Sequence, residues 1–74
     1  MLVDEWRIEQ MNVEKQFEAV KEDLPSEIQE EIPEMFDNWR VRYFFLGMNP
    51  EEDDIEILAK LQRKLKEVNK NGKN

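Results

Sequence analysis

Large apolar residues recur three and four positions apart in three successive runs, and "DLPSE" (23–27) and "GMNP" (47–50) separate those runs. Such spacing puts each run on one side of a 3.6-residue helix, whereas a half-buried strand would show apolar–polar alternation, of which there is none. The chain is therefore restricted to an all-helical fold in which three amphipathic helices bury their stripes against one another. With 74 residues it makes one small domain, and its 27 large apolar side chains suffice for one compact core.

The first stripe is Val3, Trp6, Val13, Phe17, Val20 and Leu24, interrupted by Gln10 and widened by Ile8 and Met11. It predicts a helix over about 4–23, opened by a cap at Asp4 or just before it. Pro25 ends it, because proline biases the preceding residue away from helical angles. Ser26 and Gln29 have the spacing of a capping box, so a second helix is expected over 27–46. Pro33 within it removes a hydrogen bond and crowds the preceding turn, which predicts a kink or break near Glu31 to Pro33; Gly47 supplies a left-handed cap.

The third start carries the strongest local signal. Asn49 suits an N-cap, Pro50 the first helical position, and Glu51, Glu52, Asp53 and Asp54 the positive end of the helix dipole. Ile55, Leu58, Leu61, Leu65 and Val68 continue a helix over 50–70, Lys60, Arg63, Lys64, Lys66 and Lys70 fill its negative end, and 71–74 read as a flexible tail. Short connections favour antiparallel neighbours, giving an up-down-up three-helix bundle over 1–70.

Several functions are disfavoured by composition. The chain contains neither histidine nor cysteine, so the usual general base, thiol nucleophile and zinc ligands are missing and no enzyme, metal or cofactor is expected. "EEDD" lacks the glycine and the alternating ligands of a calcium loop. No apolar run approaches a signal peptide or the roughly 20 residues of a membrane span, so a cytoplasmic location without membrane contact is expected. Net charge is −7, made up of −9 over residues 1–37, −3 over 38–56 and +5 over 57–74. That balance argues against direct nucleic-acid binding and favours a basic protein partner.

Two features remain as candidates for function. Glu14, Glu18 and Glu22 lie four apart on one helix face, and Glu27, Glu30, Glu31 and Glu34 crowd the start of the second helix. Spaced roughly 6 Å apart, such carboxylates serve solubility or imitate a nucleic-acid backbone. The other is "NWRVRYFFLG" (38–47), whose side chains Tyr43, Phe44, Phe45 and Leu46 point in different directions on a helix, either buried between two neighbours or leaving an edge at Trp39, Arg42, Tyr43 and Phe45 for recognition. Arg40 and Arg42 have acids nearby with which to pair. The expected function is non-enzymatic: these rows and this edge occupy and inhibit or regulate a basic, nucleic-acid-handling protein, as small acidic proteins of phages do by analogy. The alternative is a homo-oligomeric helical module with a structural or adaptor role.

Overall fold

The computed structural model describes residues 3–72, with side chains to Lys70. Three helices account for most of these residues: α1 (Val3–Val20), α2 (Ser26–Trp39) and α3 (Glu52–Gly72). A 3-10 turn (Lys21–Asp23) follows α1, and a π-helical segment (Arg40–Phe45) prolongs α2. The bundle measures 40 × 21 × 18 Å, and the described residues contain no strand. The expected all-α three-helix bundle is what the chain forms.

Each helix buries one stripe. On α1 it is Trp6, Gln10, Val13, Phe17 and Val20; on α2 with its π extension, Ile32, Phe36, Trp39 and Tyr43; on α3, Asp54, Leu58 and Leu65. The backbones of α1 and α3 lie close together along their length, while α2 stands further off. Rings fill the gap: Phe17 meets Phe36 edge-on at 6.2 Å, and Trp6 meets Trp39 at 5.1 Å and Tyr43 at 4.6 Å. Such edge-to-face pairs set positive ring edges against negative ring faces and add to the area they bury.

Several local expectations need correction. Helix α1 already includes Val3, so Asp4 is helical and not a cap, and the α-helical register stops at Val20 with residues 21–23 tightened into the 3-10 turn. No capping box forms at Ser26. Pro25 is the N-cap, its carbonyl accepting from the Ile28 and Gln29 amides at 3.0 Å, while Gln29 Nε2 donates to the Leu24 carbonyl at 2.7 Å. Helix α2 runs through Pro33 without a break. Burying Ile32, Phe36 and Trp39 together requires one continuous face, which offsets the roughly 3 kcal/mol an interior proline costs.

At α3 the N-cap is Glu51, two residues later than Asn49: its carbonyl accepts from the Ile55 amide at 3.1 Å. Asp54 reaches back to accept the Glu51 amide at 3.3 Å, which is half of a capping box. Helix α3 continues to Gly72, past the start of the expected tail, and residues 73–74 lie outside the described residues. Gly47 ends the second helical run with φ +68°, as its position suggested.

Candidate functional site

The π segment decides which side chains of "RVRYFFL" face outward. An α-helix turns about 100° per residue, and a register of i→i+5 bonds, seen where the Leu46 amide donates to the Val41 carbonyl at 3.1 Å, turns only about 80°. From Tyr43 to Leu46, α geometry would return Leu46 to within about 60° of the core direction, whereas π geometry leaves it about 120° away. Phe44 moves the opposite way. Five residues after Trp39, it lies about 40° from the core direction where α geometry would leave it about 140° away. Accordingly Phe44 is half-buried against Trp6 with the Arg7 guanidinium 4.3 Å above its ring, and Leu46 is 67% exposed.

Trp39 and Tyr43, expected at a recognition edge, are each only 2% exposed and belong to the core. The reason was visible in their spacing, because Ile32, Phe36, Trp39 and Tyr43 continue one stripe by steps of four, three and four. Of the expected ring-bearing edge only Phe45 stands free, at 82% exposure. Near it in the chain, Val41, Leu46 and Met48 are also exposed; of the three, only Leu46 belongs to the group at 43–46 whose facing the sequence leaves open. A glycine flanked by Leu46 and Met48 was the available signal, since a turn at the surface leaves its flanking apolar residues little to pack against.

Tyr43 holds this corner in place. Its hydroxyl donates to the Asp54 carboxylate, which also accepts from Arg42 Nη2 at 3.3 Å and from the Glu51 amide. Burial works to raise the Asp54 pKa, but the Tyr43 hydroxyl, the Glu51 amide and the Arg42 charge together hold it below the ordinary carboxylate value. Burial and the neighbouring carboxylate push the Tyr43 hydroxyl up to about 12. One buried carboxylate thus caps α3, ties it to the π segment and anchors Arg42, which is expected from the sequence to meet a partner.

The acidic rows divide between two sides of α2. Glu14 and Glu18 border a groove between α1 and α2, together with Asp37 and Arg40. Arg40 bridges that groove, donating to Glu14 and, at 2.6 Å, to Asp37. Glu31 and Glu34 border the opposite groove, between α2 and α3. Glu22, Glu27 and Glu30 are exposed and line neither groove. On the outer ridge of α2 the exposed residues Glu27, Glu31, Glu34, Asn38, Val41 and Phe45 follow one another by fours and threes, acidic at one end and apolar at the other.

Among the described residues no group of three or more His, Cys, Asp or Glu side chains is arranged to hold a metal ion, and no helix is long and apolar enough to cross a membrane. No protein-family model, curated protein or solved structure matches the chain.

Proposed function

We propose that the protein is a non-enzymatic binding module that occupies, and so inhibits or regulates, a basic surface on another protein. Phe45, Leu46, Val41 and Met48 supply the desolvated contact. Charge supplies the approach, and nucleic-acid-handling proteins are the partner class whose surfaces offer the matching basicity.

The observation that carries this reading is the sequence of surfaces at the corner: four exposed apolar side chains end at Met48, and Glu51, Glu52 and Asp53 follow three residues later, all exposed. No cation lies within 4.0 Å of any of these three among the described residues. A second copy docked corner to corner would bring six such carboxylates together, which disfavours the homo-oligomeric alternative. A basic partner gains from the same charges. The α2 ridge extends the acidic surface away from the corner through Glu34, Glu31 and Glu27.

Affinity capture on immobilised protein tests this. A basic protein is expected to bind at about 50 mM salt and to be released near 500 mM, where the Debye length falls to a few ångströms. Phe45→Ser and the triple change Glu27, Glu31 and Glu34 to lysine should each abolish capture while leaving the circular dichroism spectrum unaltered. Capture that ignores both salt and these substitutions would exclude the proposed surface.

A further inference from the structure

Helix α2 keeps α register to Trp39, and π register begins directly after it, at Arg40. Rotation counted from Trp39 then decides the side each following residue takes. At about 100° per residue in α register and about 80° in π register, Tyr43 stays about 40° from the core direction either way. Val41 and Phe45 point outward in both, about 160° and about 120° away. Only Phe44 and Leu46 change sides: Phe44 faces inward in π register and outward in α, and Leu46 does the reverse.

Nothing local requires π register in this stretch, since residues 40–46 include neither proline nor glycine. A π turn is rare where α is the default, so it persists because surrounding contacts favour it. Those contacts fall on Phe44. Its ring meets Trp6 edge-on at 6.4 Å and lies under the exposed side chain of Arg7, whose guanidinium is 4.3 Å from the ring centre. In α register Leu46 takes the inward place, so apolar burial lost at one position is regained at the other. The Arg42 carbonyl, which accepts from the Met48 amide at 3.1 Å, would then accept from Leu46. Residues 47–51 belong to no helix and Gly47 already turns with φ +68°, so the chain can absorb the rotation before α3 starts.

We infer that residues 40–46 form a two-register switch, latched in π register by Arg7 and Trp6 on Phe44, and that the latch controls whether Leu46 stands in the docking corner. When Phe44 is released the segment returns to α register, Leu46 turns inward, and the corner loses the apolar side chain that is most exposed after Phe45. Tyr43 faces inward in both states, so its bond to Asp54 holds the segment while the far end rotates. A partner that covers Leu46 together with Phe45 stabilises π register, because a ligand shifts an equilibrium by its differential affinity for the two states. That consequence rests on the proposed corner; the two registers themselves do not.

Isotopically labelled full-length protein tests the registers through the scalar couplings that cross hydrogen bonds. In the parent the Leu46 amide should couple to the Val41 carbonyl. Phe44→Ser should move that coupling to the Arg42 carbonyl, free the Met48 amide and bring the Leu46 methyls against the Trp39 or Tyr43 ring. Arg7→Ala, a change at an exposed side chain, should raise the α-register population by about two- to fivefold, the worth of an exposed cation–π contact, read as the minor state in relaxation-dispersion profiles of the 44–47 amides. Adding Leu46→Ser to Arg7→Ala should restore π register, since α register would then bury a hydroxyl. In partner capture, Phe44→Ser should weaken binding to the extent that Leu46→Ser does.

A Phe44→Ser protein of unaltered circular dichroism that keeps the Val41–Leu46 bond and an exposed Leu46 would overturn the two registers. Should Phe44→Ser fail to fold, Arg7→Ala decides: a minor-state population equal to the parent's would remove the latch. Capture lost with Phe45→Ser in a protein that shows a single register would leave the corner standing and remove the switch. Registers that move as expected, in a protein whose capture ignores both Phe44→Ser and Leu46→Ser, would remove the switch's control of docking.

Discussion

Removing the Tyr43 hydroxyl tests how the corner is held together. It lies in the core and donates to Asp54, itself buried and accepting from Arg42 and the Glu51 amide. A hydrogen bond to a charged group contributes about 1.5–3 kcal/mol, and Tyr43→Phe also leaves the carboxylate short of a donor. Burial and, after it, the Asp54 carboxylate also favour the neutral hydroxyl, pushing the phenol from 10.0 up to about 12. For a domain of this length about 2 kcal/mol lowers the Tm by roughly 8–16 °C.

Thermal melts followed at 222 nm at pH 7 read that shift. Because Tyr43 is the single tyrosine of the chain, its ionisation can also be followed directly at 295 nm. A raised acid pKa keeps the folded state protonated where the unfolded chain is not, so stability is full below pH 10 and declines as pH rises toward 12. Tyr43→Phe should flatten that decline. A variant melting within about 2 °C of the parent, or a phenol titrating near pH 10 with the helical signal intact, would refute the reasoning.

Three further outcomes follow from the same structure. Gln10 is fully buried and both polar atoms of its amide lack a partner, so Gln10→Leu should raise stability by about 1–3 kcal/mol in urea melts; a loss of stability would mean the amide is satisfied. Gly47 has φ +68° with open space where a Cβ would stand, so Gly47→Ala should cost about 1 kcal/mol through backbone strain alone and Gly47→Asn less, and equal costs would contradict that cause. Asp54 has a lowered pKa, so its contribution is present above the unfolded value of 3.8 and is lost as pH falls through its own lower one; the stability gap to Asp54→Asn should close over that acid range, and a gap independent of pH would contradict it.

Sequence pattern carried the helices further than it carried the surface. The stripes of α1 and α3, the stop at Pro25 and the cap at Gly47 rest on local chemistry, and local chemistry is present in the sequence. Facing at 40–46 is different. It depends on a switch to π register that no residue type announces, and with aromatic residues at 43, 44 and 45 either register finds a ring to bury. Leu46 and Phe44 exchanged places for that reason. Asp54 read as dipole complementation because its charge fits a helix start; its second role as acceptor for Tyr43 exists only once α3 packs beside the π segment. Glu14 and Arg42 likewise looked available until the fold brought Arg40 and Asp54 to them. Pro33 misled in the other direction, since its local cost was legible and the buried face that overrides it was not.

The central claim is that Phe45 meets a basic protein when this chain is at work. Replacing Phe45 with a photoreactive benzoylphenylalanine tests it most directly, because the position is 82% exposed and the substitution leaves the core untouched. Irradiation in cells, with the same group at exposed Ala19 as control, should give a Phe45-specific adduct to a second protein of basic surface, diminished when Glu27, Glu31 and Glu34 are reversed to lysine. An adduct only to another copy of this chain, or none beyond the Ala19 control, would contradict the account.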